Sequence, residues 1–467
     1  MMMLVLSRSL YLVHFFMDND FFRKLRTIGK GHIYEICKKT LPSLFVKAIA
    51  MVAALGVSLF LGRVLGVEKY GVVELAQRLA YFVLVFCLFG MENVLLKEIS
   101  IAYESKRWQH VMDSLYTGLV YNGFISLVFI GFLLLFSEFI CEDIFQMDGL
   151  LFPFRVILIG VVFQTLSRSF ISGINAFGKI WQSNFFNKAL GLVLSLLSFF
   201  FLFSIDLLTT NSASCSFALS QFIVLVVVSL YWLKVSPYHS EKKKFQRKFI
   251  LPAKRLLLSS GTGIISASAS VVVLGVLAGA KDVGLYNLAS RLAMLTIVVL
   301  EVLNTVLAPK IAVLYSEKKI KEIQKLLTPI SLLLLFFGVL LVVFFVFYGQ
   351  SLVLLWGDDF RGAYFYLVIL SIGQFVNLST GAVGVVLTMT NNEQILSTIG
   401  LATMFFSILA NIVLIYLYGV LGACIATLLV LCTENIVKVY IIKRRVGLNL
   451  LPILANFSSY FNSVKNS

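Results

Sequence analysis

The chain has 467 residues, of which 59% are hydrophobic, 42 are Phe and only 13% are charged. A soluble fold of this length has no use for so much apolar surface, so composition excludes a water-soluble enzyme or binding domain and points to a protein folded in lipid. The net charge of +16 would suit a nucleic-acid binder, but its placement along the chain excludes that as well.

Residues 1–20 hold a short apolar stretch broken by Arg8, with no small-residue cleavage site after it, and make a poor signal peptide. Either Met17 is the true start, opening an ordinary basic N-terminus, or the stretch is an amphipathic interfacial segment. Beyond it, apolar runs recur at the length that about 30 Å of hydrocarbon demands of a helix. Twelve transmembrane helices are expected, over 44–65, 72–95, 111–136, 151–171, 185–205, 215–233, 256–279, 286–307, 329–348, 363–388, 395–418 and 420–442. Lipid offers no partner for free backbone groups, so these are helices and not open strands.

The expected fold class is therefore an all-α integral membrane protein of about 12 transmembrane helices in two parallel six-helix lobes. The expected divisions are a cytoplasmic N-terminal segment over 1–40, a first lobe over 41–233, a linker over 234–255, a second lobe over 256–442 and a cytoplasmic tail over 443–467. The linker carries Pro237, Pro252 and eight basic residues. With loops assigned alternately to two sides, one side holds 28 of the 39 Lys and Arg and the other only Arg63, Lys69, Lys281 and Arg361. The loop over 138–148 has four acids and no base. This positive-inside pattern places both termini in the cytoplasm, with anionic inner-leaflet lipid as a partner and no nucleic acid.

An internal repeat links the lobes. LGVEKYGVVELAQRLA at 65–80 returns as AGAKDVGLYNLASRLA at 278–293, an offset of 213 residues. Gly66, Gly71, Leu75, Ala76, Arg78, Leu79 and Ala80 recur as Gly279, Gly284, Leu288, Ala289, Arg291, Leu292 and Ala293. Because each lobe has an even number of helices, the repeats are parallel, related by an axis along the membrane normal.

The second helix carries Glu74, Arg78, Tyr81 and Glu92 within about 60° of one face, and the eighth carries Asn287, Arg291, Glu301 and Thr305 within about 80°. An intramembrane charge costs roughly 2.5–3.5 kcal/mol even on lenient scales, so it must face protein or water. The two stripes are expected to line one cavity from opposite sides. Arg78 could pair with Glu74 one turn away or snorkel. Arg291 has Asn at the equivalent position, so it is expected to serve a ligand or another helix.

Lys47, Arg155, Arg168 and Lys188 are further cations inside first-lobe helices; their second-lobe counterparts are Ser260, Val368, Gly381 and Leu401. Such a set suits an anionic ligand held by charge-assisted hydrogen bonds, although each cation near a helix end could also snorkel. Gln164 and Asn175 on the fourth helix, and Gln374 and Asn377 on the tenth, are softer candidates for sugar contact. Glu74, Asp113, Glu301 and Glu434 are candidates for ion coupling, with Glu434 and Lys438 an i, i+4 pair. The cysteines and the four His form no metal or redox cluster, so no catalytic residue, metal or cofactor is expected. A Cys141–Cys215 disulfide is conceivable.

The segment LFLGRVLGVEKYGVVELA, and NIVLIYLYGVLGACIATLLV at 411–430 with its Asn…Tyr-Gly-x-x-Gly-Ala…Ala-Thr pattern, resemble the polysaccharide-biosynthesis membrane proteins known as Wzx-type oligosaccharide flippases. The resemblance covers about residues 40–445. It implies a MATE-like V-shaped pair of bundles that turns over undecaprenyl-diphosphate-linked oligosaccharide, the unit of O-antigen or capsule, in the bacterial inner membrane. Polysaccharide polymerase or chain-length machinery would be a partner. A drug or small-molecule antiporter of the same fold is the first alternative, although many drug extruders of the wider group carry a first-helix proline that is absent here. A membrane glycan polymerase or ligase is the second, although the loops leave no room for an outer domain.

Overall fold

Gly66 and Gly279, the paired glycines of the repeat, adopt the same extended, positive-φ conformation: φ 76°, ψ 171° and φ 98°, ψ 177°. A side chain is disfavoured there, which is why glycine stands at both places. Each reverses the chain between two membrane-length helices. In the computed structural model, which describes residues 31–236 and 243–450, the same offset of 213 relates two more left-handed positions, Gly178 to Asn391 and Asp206 to Gly419.

The described residues form α1 (Gly31–Leu88, broken at Gly66), α2 (Met91–Glu104), α3 (Trp108–Leu135), α4 (Leu151–Ala176), α5 (Ile180–Ser204) and α6 (Thr210–Val235), which make the first lobe. The second lobe holds α7 (Ile250–Leu277), α8 (Ala280–Ala293), α9 (Ile297–Ser316), α10 (Ile320–Leu354), α11 (Ala363–Thr380), α12 (Val383–Met389) and α13 (Glu393–Arg445, broken at Gly419). Among the described residues, nine stretches are long and apolar enough to cross a membrane. Two of these, Pro42–Leu88 and Glu393–Arg445, are pairs joined at the broken glycines. With the shorter apolar helix Gly261–Leu277 the crossings number twelve, six to a lobe. Large apolar side chains such as Phe124, Phe132, Phe336, Phe347 and Phe405 stand exposed, as a lipid-facing belt requires.

Three expectations need correction. The helix expected over 72–95 is interrupted at Phe89 and Gly90, both at positive φ, and α2 starts a new direction at Met91. The helix over 286–307 tightens into a 3₁₀ turn at Met294–Thr296. Helical-face offsets that run across these points do not hold, so Glu92 leaves the stripe of Glu74. Cys141 and Cys215 are both free thiols. The Met1-or-Met17 start, the first 20 residues and the tail beyond residue 450 lie outside the described residues.

The apolar core explains how the lobes sit together. At the end bearing the Gly66 and Gly279 hairpins, one buried cluster draws on both lobes, with Leu61, Tyr70 and Leu75 packed among residues such as Val283, Leu288, Trp356 and Phe360. At the end bearing the linker the core divides in two, one cluster around Leu95 and Trp232 that takes in Phe249 and Ala253 at the start of α7, and one around Leu327 and Val386 in the second lobe. The lobes thus share one core at the hairpin end, while at the linker end only the start of α7 joins the first-lobe cluster.

Candidate functional site

Two cavities flank the lobe junction. The first-lobe cavity, of about 630 Å³, is lined by Lys47 on α1, Gln164 and Arg168 on α4, Asn187 and Lys188 on α5 and Glu301 on α9. Asn187 and Lys188 lie on a π turn, Phe185–Ala189, which rotates the helix face by inserting a residue into it. Lys47 and Arg168 each hold a carboxylate only at 3.5 Å, from Glu301 and Glu92. Lys188 has no ion-pair partner among the described residues, and Lys47, Arg168 and Glu301 all lie within its electrostatic reach. Three cations against one lining carboxylate leave a cavity with a positive field, focused by low-dielectric walls.

The second cavity, of about 500 Å³, lies between α7, α8, α11 and α13. It is the repeat of the first. Gln77, Ala80, Ile157, Val161, Asn187, Phe217 and Gln221 line one, and Ser290, Ala293, Leu370, Gln374, Gly400, Val430 and Glu434, each 213 residues later, line the other. Yet no Lys or Arg is among the described residues lining the second cavity.

Between the cavities and the hairpin end the lobes are sealed. A Cβ on Gly71 would stand 1.8 Å from the Ala280 carbonyl oxygen, and one on Gly284 would stand 2.4 Å from that of Val67. These are symmetry-related contacts, backbone on backbone, which only glycine allows. Trp356 donates its Nε1–H to Ser58 Oγ at 3.1 Å, and Ser58 shares a 2.7 Å hydrogen bond with the Tyr70 hydroxyl. Arg291 completes the seal. Its guanidinium donates to Glu74 at 2.8 and 3.0 Å and to the Ala54 carbonyl at 3.1 Å.

Neither Arg78 nor Arg291 lines a cavity, contrary to the reading of the helix faces, although Tyr81 of one stripe and Glu301 of the other both line the first cavity. Glu74 is present in one repeat and replaced by Asn287 in the other, so Arg291 finds a carboxylate across the junction and Glu74 is not left for Arg78. Asn287 is buried with its Oδ1 unpartnered. Arg78 makes no hydrogen bond or ion pair with the described residues and lies within electrostatic reach of Tyr286 in the second-cavity wall.

The polysaccharide biosynthesis protein family model matches residues 36–315. The chain belongs to that family. It is 26% identical over 258 residues to the capsular polysaccharide biosynthesis protein CapF of Staphylococcus aureus, covering 53% of this chain and 65% of that one. It is 22% identical over 243 residues to the probable low-salt glycan biosynthesis flippase Agl15 of Haloferax volcanii, covering 50% of each. The match thus spans between half and two thirds of these relatives' lengths. Its fold is similar to that of a multidrug-resistance MATE-family transporter solved in an inward-facing conformation, with a TM-score of 0.70 at 13% identity over 85% of this chain and 94% of that one.

In this polysaccharide biosynthesis protein the remaining sequence candidates scatter. Arg155 donates to Ser137 Oγ at 2.7 Å and to Glu138 at 2.8 Å near the hairpin end, away from both cavities. Asp113 accepts the Lys244 backbone N–H at 2.8 Å and a Gln246 side-chain N–H at 3.3 Å, which ties the linker to α3. Asn175 and Asn377 line neither cavity, whereas Gln164 lines the first and Gln374 the second. Glu434 lines the second cavity and is held by Lys438.

Gln77, Asn187 and Gln221 in the first-cavity wall went unread in the sequence. The Nε2 of Gln77 and the Oδ1 of Asn187 are buried without partners among the described residues. Gln77 had a signal, since it precedes Arg78 inside the repeat. Asn187 had none, because a π turn shifts the helical period by a residue that no wheel anticipates.

Proposed function

We propose that this protein is a flippase for polyprenyl-diphosphate-linked saccharides, undecaprenyl-linked in a bacterial cytoplasmic membrane. It carries an oligosaccharide repeat unit from the inner to the outer leaflet by alternating access. The positive-inside bias supports an orientation with the hairpin end outward and the linker end inward. The sealed hairpin end and the separate linker-end cores then correspond to an inward-facing state, poised to take substrate from the cytoplasmic side.

One observation carries the reading. Lys47, Arg168 and Lys188 share a cavity whose symmetry twin has no lining cation. Charge this costly inside a membrane is retained where it has an anion to meet. A diphosphate presents several acceptor oxygens that Arg can fork and Lys can neutralise. A cavity with this field repels organic cations. The names of the two glycan-biosynthesis relatives support a saccharide cargo.

The test is binding of a sugar-free polyprenyl diphosphate to the purified protein in nanodiscs. It should bind at least tenfold more tightly than the corresponding polyprenyl monophosphate. Arg168→Gln and Lys188→Gln should each remove roughly a tenfold share of that affinity, as expected for one charge-assisted hydrogen bond of about 1.5–3 kcal/mol. Equal binding of the two lipids, unaffected by either substitution, would refute the assignment.

A further inference from the structure

The second-lobe cavity has a chemistry of its own. Nine of its lining side chains carry a hydroxyl. Serine and threonine in membrane helices often do no more than bond back to their own helix or to a neighbour. The repeat supplies an internal control for that explanation. At six of the nine positions the first-lobe twin is plainly apolar: Ser266 faces Ala53, Ser270 faces Val57, Tyr286 faces Val73 and Thr403 faces Leu190, and two more follow suit. The same fold packs without those hydroxyls when its cavity serves another ligand.

The hydroxyls are also incompletely used. Those of Ser266, Ser290 and Ser397 have no hydrogen-bond partner among the described residues, and none of the three residues is fully buried. Tyr286, Thr427 and Ser270 form a hydroxyl chain at 2.8 and 3.2 Å that joins α8, α13 and α7 across the cavity wall. Each hydroxyl has one donor and two acceptor sites, so this chain keeps unused capacity. With no Lys or Arg among the described lining residues, and with the carboxylates of Glu393 and Glu434 both in the wall, the second held by Lys438, the cavity disfavours a phosphate. A wall of groups that both donate and accept matches an uncharged polyol.

The two cavities meet at the junction. Met294 lines both. We propose that the second-lobe cavity is a separate subsite for an uncharged sugar ring. The division of labour rests on the proposed flippase reading for the diphosphate half. The sugar half has its own evidence and its own readout.

The experiment compares ligands on the full-length protein in nanodiscs: sugar-free polyprenyl diphosphate, the same lipid bearing glucose, galactose, N-acetylglucosamine or N-acetylgalactosamine, and each sugar free in solution. At least one sugar-bearing lipid should bind about tenfold more tightly than the sugar-free one, the effect of one or two hydrogen bonds. Ser266→Ala combined with Ser290→Ala should cut that increment several-fold, and the cavity-filling Ser290→Leu should abolish it. Affinity for the sugar-free lipid should hold in both. Competition by a free sugar, lost in the same variants, would support the subsite and assign it to soluble saccharide as well; its absence beside a lipid-linked increment would assign it to the lipid headgroup. If no sugar raises affinity, or if the alanine pair leaves the increment intact, the subsite is overturned. Failure of the diphosphate reading would look different: sugar-free lipid would then bind without regard to Lys188.

Discussion

Arg291 reaches across the lobe junction, where its Nη2 donates to both carboxylate oxygens of Glu74, at 2.8 and 3.0 Å, while its Nη1 holds the Ala54 carbonyl. One side chain of the second repeat thus clasps both arms of the first hairpin. Glu74 is 2% exposed, so breaking the pair from one side strands a buried charge, a loss of about 3–5 kcal/mol. Arg291→Met should therefore lower the unfolding temperature of the purified protein markedly. The double variant Glu74→Gln, Arg291→Met should recover much of that loss, because no charge is left stranded. Arg291→Lys should fall between, since lysine keeps the charge but not the second nitrogen that holds the Ala54 carbonyl. Thermal unfolding of the four proteins checks this; a double variant no more stable than the single one would show that the pair is not coupled.

The glycine contacts make a steric prediction. Gly71→Ala puts a methyl group 1.8 Å from the Ala280 carbonyl, and backbone cannot yield as a flexible side chain can. The hairpins must part. A single cysteine at Val67 should then react several-fold faster with a bulky membrane-impermeant maleimide than in the parent, and a Val67–Ala280 cysteine pair should crosslink poorly. In the parent that pair should crosslink readily and stop transport until reduced. Unchanged labelling in the alanine variant would contradict the sealed end.

Asp113 is a linker anchor in this structure. It accepts from the backbone of Lys244, and Thr117 accepts the Gln246 backbone N–H at 2.9 Å. Asp113→Ala leaves the Lys244 backbone N–H and the Gln246 side-chain amide without their acceptor, a cost of about 1–3 kcal/mol that falls on local order in the linker. Limited trypsin digestion should cut at Lys243–Lys248 faster in that variant, while Asp113→Asn, which keeps an acceptor oxygen, should resist as the parent does. A changed pH dependence of transport in the asparagine variant, with no change in digestion, would instead return Asp113 to ion coupling.

Much of the fold was legible because lipid imposes a simple rule. Length and hydropathy give twelve crossings, and the recurrence of Gly66 as Gly279 marks the lobes. The site was less legible, for a physical reason. A sequence face tells that Arg291 must meet something polar, but not whether that is a ligand or Glu74 on a helix 217 residues earlier. The clustering of Lys47, Arg168 and Lys188 brings together helices far apart in sequence. Arg155 shared their apolar surroundings in the sequence yet lies with Glu138 at the other end. The hydroxyls of the second cavity were invisible because serine is common in membrane helices; only comparison with their apolar twins sets them apart.

Leaflet transfer in proteoliposomes tests the central claim most directly. A fluorescent polyprenyl-diphosphate saccharide is placed in one leaflet, and its appearance in the other is timed by an impermeant quencher. The parent protein should speed transfer well above that of protein-free liposomes, and the double variant Arg168→Gln, Lys188→Gln should lose at least tenfold of that acceleration while inserting and unfolding like the parent. Equal acceleration by the parent and by the variant, or none by the parent with any saccharide offered, would contradict a flippase that carries its cargo by the diphosphate.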